Sequence, residues 1–176
     1  MISRIRRSIA ESSLLTFLIL MLLLQTSAFA SFFYTKENEP ALLSIGGGIF
    51  DGGSSHFGGL FQLEYKWDHY MGCELRPQCG LAIPEMRSLL LYAGFGVEVY
   101  VTKHFVMTPS FSPGLYFRGK NGKDLGFPIE FRSAVEFAFA SHQRRLGCQI
   151  FHVSNAHFGH HNPGANAFVF FLAFPL

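Results

Sequence analysis

The chain is 176 residues long, 49% hydrophobic and only 15% charged, with 21 Phe, 18 Gly and a formal charge of +2. That composition excludes a disordered chain and a solvated acidic or basic tail, and the length suits a single domain. Arg4, Arg6 and Arg7 outweigh Glu11 in the first segment, so residues 31–176 are electrically balanced and offer no basic face to nucleic acid.

Residues 1–30 read as a cleaved signal peptide. The early arginines precede an apolar run from Leu14 to Leu24, and Ala28-Phe29-Ala30 places small residues where a signal peptidase reads them, before Ser31. The competing reading is a retained transmembrane anchor, but the run falls well short of the ~20 residues a spanning helix needs. Cys73, Cys79 and Cys148 are odd in number and have no metal-like spacing, so no disulfide framework is expected.

Residues 31–176 show a period of two almost throughout. Eight segments alternate, near 41–50, 56–67, 71–82, 88–101, 104–117, 125–140, 143–154 and 165–176. In the second, Phe61, Leu63, Tyr65 and Trp67 alternate with Gln62, Glu64 and Lys66. Met71, Cys73, Leu75 and Pro77 do so in the third, and Leu89, Leu91, Phe95, Val97 and Val99 in the fourth. In the sixth, Leu125, Phe127, Ile129, Phe131, Val135, Phe137 and Phe139 share one face, on which Ser133 is the only polar residue. In the seventh, Leu146, Cys148 and Ile150 oppose Arg145, Gly147 and Gln149.

These lengths suit tilted strands crossing a bilayer, and the alternation suits an all-β, eight-stranded, antiparallel up-and-down transmembrane barrel over residues 31–176. A soluble lipid-carrying barrel is the alternative, and it would turn the apolar face inward. The other face here carries Glu64, Glu74, Arg76, Glu98, Glu130, Arg132, Glu136 and Arg145 among glycines, which suits a narrow, ion-paired lumen. Connections after the second, fourth and sixth segments read as short, and those after the first, third, fifth and seventh as longer. That is the order of periplasmic turns and outer loops.

One constellation could carry chemistry. His152 and Ser154 lie two apart on the seventh segment and therefore share a face, in phase with Ile150 and hence toward lipid. Asn166 opens the eighth segment in phase with Phe168 and Phe170, and a hairpin closed by residues 155–164 brings it beside His152. A His beside a Ser can remove the hydroxyl proton, and an amide oxygen can fix the imidazole tautomer. Asn155, Asn162 and the backbone around Gly164 are candidate oxyanion donors. The bland alternative is that these polar groups simply sit at headgroup level.

His152-Val153-Ser154-Asn155-Ala156 followed by Asn162-Pro163-Gly164 resembles the signature of the outer-membrane lipid A 3-O-deacylases. Arg145-Leu146-Gly147, Leu125-Gly126, Glu130-Phe131-Arg132 and Gly46–Asp51 extend the resemblance over most of residues 31–176, most specifically over 118–176. It implies an eight-stranded bacterial outer-membrane barrel that hydrolyses the ester-linked acyl chain at the 3 position of lipid A, the lipid anchor of lipopolysaccharide. Ser154 would be the nucleophile, His152 the general base and Asn166 the residue orienting it, with no metal or cofactor. A homodimer is compatible with the resemblance. The chain departs from the family at Asn166, where the best-known members carry Glu. A neutral amide cannot answer the charge of an imidazolium, so a catalytically silent structural or lipid-binding barrel is the alternative function.

Two other clusters invite chemistry. His157, His160 and His161 with His152 suggest a metal site, although no carboxylate or Cys accompanies them, and a His-rich outer loop touching lipid phosphates is the simpler account. Glu64, Glu130 and Glu136 invite comparison with glycosidase carboxylates, against pairing with Arg76, Arg132 and Arg145 in a lumen. Gly46-Gly47-Gly48 is followed by no Lys-Ser or Lys-Thr pair and no helix, so close strand packing explains it better than phosphate binding.

Overall fold

Alternating side chains become a closed sheet because each strand can bury one face only by curling around its own polar residues. In the computed structural model the described residues are 39–51, 58–69, 71, 75–84 and 87–176, so the expected signal peptide, Cys73 and Glu74 lie outside them. The strands are β1 (Leu42–Phe50), β2 (Gly58–Lys66), β3 (Leu75–Pro84), β4 (Leu89–Val97 and, past Glu98, Val99–Tyr100), β5 (Phe105–Phe117), β6 (Ile129–Ser141), β7 (Arg144–Ser154) and β8 (Ala165–Pro175). The two parts of β4 are one strand in pairing terms: Leu89 opposite Phe117 and Tyr100 opposite Val106 belong to a single register.

Every neighbour is antiparallel. β8 returns to pair with β1, placing Phe50 opposite Ala167, and β4 pairs with β5, so the eight-stranded sheet closes. The wall carries exposed Phe111, Leu115, Phe139, Leu146, Ile150 and Phe170, which suits hydrocarbon and not water. The lumen holds the charges, and close pairing offsets their desolvation. Arg145 grips Glu98 through both Nη atoms at 2.6 and 2.8 Å, and Arg76 Nη1 donates to the same carboxylate at 2.7 Å. Lys66 Nζ donates to Glu136 at 2.7 Å. The Arg132 guanidinium lies between the Tyr92 and Phe151 rings, 4.3 and 4.5 Å from their centroids, and 3.5 Å from Glu64. The outer mouth is plugged by apolar side chains including Phe50, Leu60, Tyr116, Leu125, Phe151 and Val153.

Several sequence expectations need correction. Leu125 is not on the lipid face: it is buried in the plug, because Gly126 at φ 88° breaks the extended backbone before β6 begins at Ile129. The third strand begins at Leu75, not Met71. Met71, in the connection before it, forms an isolated antiparallel bridge with Leu75, so the alternating pattern ran on beyond the strand. The connection across residues 67–74 is therefore not short, whereas the one across 85–88 is. Glu130 is fully buried, yet among the described residues neither carboxylate oxygen has a hydrogen-bonding partner, so it does not share in the lumen pairing. The longest connections, residues 118–128 and 155–164, both lie at the outer mouth.

Candidate active site

Alternation along β7 sends Phe151 and Val153 into the plug, 1% and 0% exposed, and leaves His152 exposed and Ser154 half-buried on the outer wall. The wall behind the two polar side chains is thus fixed by packing. On β8, Ala165 and Ala167 are buried and Asn166 points outward. The β7–β8 register sets His152 directly opposite Asn166, and His152 Nδ1 lies 2.8 Å from Asn166 Oδ1. An amide oxygen only accepts, so Nδ1 carries the proton and donates it, leaving the Nε2 lone pair free to act as a base.

Ser154 is two residues further toward the outer rim, opposite Phe131 of β6. Their separation along the strand is ~6.6 Å at the backbone, a gap that the imidazole must lean across to reach the hydroxyl. Among the described residues, the hydrogen bond to Asn166 is the one made by the His152 ring. Gly164 roofs the ring from the loop: a Cβ there would lie 2.8 Å from His152 Cε1 and 3.2 Å from Nε2. Its φ of 60° further favours glycine there.

The loop over the site is tied through Asn155, which is fully buried. Its Nδ2 donates to the carbonyls of Leu125 at 2.7 Å and His161 at 2.8 Å, and its Oδ1 accepts from the His157 amide at 2.9 Å. Its backbone N–H donates to Asn162 Oδ1 at 3.1 Å. Both the amide and the side chain of Asn155 are thereby committed to the loop. The Asn162 carboxamide is held with its oxygen inward and its Nδ2 outward, 3.5 Å from His157 Nδ1. Of the three candidate oxyanion residues, Asn162 keeps a second side-chain hydrogen beyond the one directed at His157, and Gly164 supplies space beside the imidazole.

Residues 155–158 close a tight turn in which Ala156 and His157 both have positive φ, 50° and 65°, and the Phe158 amide donates to the Asn155 carbonyl at 2.9 Å. Two such residues in succession, neither of them glycine, hold strain that the Asn155 network sustains. The neighbouring loop docks against it without intervening side chains: a Cβ on Gly126 would lie 2.2 Å from the His161 carbonyl oxygen. Phe158, 65% exposed, meets the Phe131 ring edge-on at 5.7 Å, and Phe131 stacks on Phe111 at 5.9 Å.

The alternative clusters do not assemble. Among the described residues no three His, Cys, Asp or Glu side chains gather as metal ligands. His157 turns to Asn162, whereas His161 Nε2 faces Asp124 at 3.9 Å. Glu64, Glu130 and Glu136 are buried in the lumen, away from the outer wall. Sequence reasoning missed two features: the tie between Asn155 and Leu125, and the position of Ser133 directly opposite His152 on β6. The polarity of Ser133 on an apolar face was the available signal.

Comparison with known proteins follows the same outline. A family model described as "Lipid A 3-O-deacylase (PagL)" matches residues 60–175. The chain is similar to a solved structure described as "Crystal structure of the outer membrane enzyme PagL", at 17% identity and a TM-score of 0.60, covering 77% of this chain and 99% of that one. It is also similar to a structure from "De novo design of transmembrane beta-barrels", at 8% identity and a TM-score of 0.57, covering 81% of this chain and 100% of the other. No curated protein sequence matches.

Proposed function

Because the chain belongs to the lipid A 3-O-deacylase (PagL) family, a family of bacterial outer-membrane barrels, we propose that it acts as a serine esterase on the 3-O-acyl chain of lipid A. The observation that carries this reading is the 2.8 Å contact between His152 Nδ1 and Asn166 Oδ1 on the bilayer-facing wall, with Ser154 on the same face.

His152 Nε2 takes the proton of the Ser154 hydroxyl as Oγ attacks the acyl carbonyl. The Nδ1–H to Asn166 bond holds the ring in the tautomer that leaves Nε2 basic. Negative charge develops on the carbonyl oxygen, where Asn162 Nδ2 is the available side-chain donor. As the tetrahedral adduct collapses, the bond to the sugar oxygen breaks and His152 returns the proton to that oxygen. Lipid A leaves with a free 3-hydroxyl and the acyl group stays on Ser154. Water, deprotonated by His152, then attacks the acyl-serine ester and releases the fatty acid. Each proton taken by the imidazole is returned, so the enzyme ends as it began.

The location of the site supports the choice of substrate. Ser154 lies at the outer end of a strand whose lower part presents Ile150, Cys148 and Leu146 to lipid. A lipid in the outer leaflet would present its ester at that height and its acyl chain along the wall. The test is mass spectrometry of lipid A from cells expressing the wild-type chain or Ser154→Ala. Wild type is expected to remove one ester-linked acyl chain, and the variant none, with the barrel folded in both. Identical lipid A from the two would refute the esterase reading and leave the silent barrel.

A further inference from the structure

One row of paired residues crosses the outer wall at the height of His152: Phe111 on β5, Ser133 on β6, His152 on β7 and Asn166 on β8 are successive cross-strand partners. Below this row, Val135 opposes Ile150 and Ile150 opposes Phe168. Above it, Phe131 opposes Ser154. Ser133 is therefore a small polar residue set into an apolar wall, bounded by Phe131 above, Phe111 beside it and Val135 beneath. It is exposed, and among the described residues its hydroxyl has no hydrogen-bonding partner. A hydroxyl facing hydrocarbon without a partner is unfavourable, and alanine would fill the same place without that penalty.

The path of an acyl chain gives Ser133 a use. An acyl carbonyl bound at Ser154 must send its chain inward along the wall, on one side of β7 or the other. On the β8 side the hydrogen-bonded His152–Asn166 pair occupies the row, and Gly164 closes over the imidazole. On the β6 side the row holds only Ser133, and the stacked rings of Phe111 and Phe131 with Phe158 form a ridge alongside. Ser133 stands diagonally from Ser154, a Cβ separation of somewhat under ~7–8 Å. Its hydroxyl thus lies level with the second or third carbon of a chain attached through the Ser154 ester.

We propose that Ser133 is a specificity residue over which the acyl chain crosses, and that its hydroxyl hydrogen-bonds a hydroxyl carried two or three carbons from the ester. The small side chain leaves the crossing open, and the oxygen selects hydroxylated over plain chains. This rests on the esterase reading above.

The test uses the purified full barrel in detergent micelles, with nitrophenyl esters of one long saturated chain, with and without a hydroxyl on its third carbon. The ratio of kcat/KM for the two esters is expected to fall about tenfold in Ser133→Ala, the value of one hydrogen bond of ~1.4 kcal/mol. Ser133→Thr, which keeps the hydroxyl, should retain most of the ratio. Ser133→Phe should close the crossing, lowering turnover of the long plain ester relative to an acetyl ester more than tenfold. Heat-modifiable electrophoretic mobility reports folding of each variant. Hydrolysis by wild type with a ratio unchanged in Ser133→Ala, or long chains still accepted by Ser133→Phe, overturns the proposal and leaves the esterase reading standing. Ester hydrolysis by wild type no faster than by Ser154→Ala overturns both.

Discussion

In the proposed mechanism, the imidazolium formed when His152 takes the serine proton faces a neutral amide oxygen 2.8 Å from Nδ1. Asn166→Asp keeps the branch point and the reach of the side chain and changes only its charge, so it isolates the electrostatic part of the contact. With charge centres ~4 Å apart, the added attraction is about 1 kcal/mol in water and about 4 kcal/mol at an effective dielectric of ~20. Both side chains are exposed, which places the gain toward the lower end, about 1–2 kcal/mol. That corresponds to roughly 5- to 30-fold on the acylation step. Asn166→Glu restores the residue expected from the family resemblance and should gain comparably, since the exposed site has room for one more methylene. Single-turnover release of fatty acid from lipid A in micelles, followed by mass spectrometry, measures the effect. An Asp variant that folds but is no faster than wild type would refute a role for this contact in proton transfer.

Gly164→Ala should lower kcat by about 100-fold, because the new Cβ would lie 2.8 Å from His152 Cε1 and displace the base, and misplacement by about 1 Å costs that much; the same lipid A assay reads it. Asn155→Ala should leave the carbonyls of Leu125 and His161 without their donor, at about 1–3 kcal/mol each. Limited proteolysis is expected to cut within 155–164 in that variant while the barrel stays heat-modifiable, and an equally resistant loop would argue against the tie. Arg145→Met should remove two of the guanidinium contacts to Glu98, leaving it the one from Arg76 Nη1, and cost about 1–3 kcal/mol, read as a lower urea midpoint for unfolding from vesicles.

The fold was legible because the period of two survives wherever side chains must choose between lipid and lumen. It failed where the chain leaves that choice. Met71 keeps the alternating pattern beyond the strand that begins at Leu75, and Leu125 loses its parity at a positive-φ glycine. The outward parity of His152, Ser154 and Asn166 was legible for the same reason, since Phe151, Val153, Ala165 and Ala167 fix it from the inside. The partners of Asn155 were not, because they come from two loops whose docking follows no local pattern. Likewise, Ser133 was visible as a polar exception, but its meaning depends on register, which joins residues that sequence separation hides.

The two faces of β7 divide the work. A loop-borne His–Ser pair would depend on the loop for its geometry; here the backbone of His152 is clamped between β6 and β8, that of Ser154 is paired with β6, and both are backed by buried Phe151 and Val153. Below that plug, the grip of Arg145 on Glu98 ties β7 to β4 across the lumen. The strained loop of residues 155–164 is left to supply Gly164 and Asn162, the parts that the proposed mechanism brings to a substrate. Loop substitutions should therefore change turnover with little effect on the barrel, whereas lumen substitutions should lower stability before they alter the chemistry on the wall.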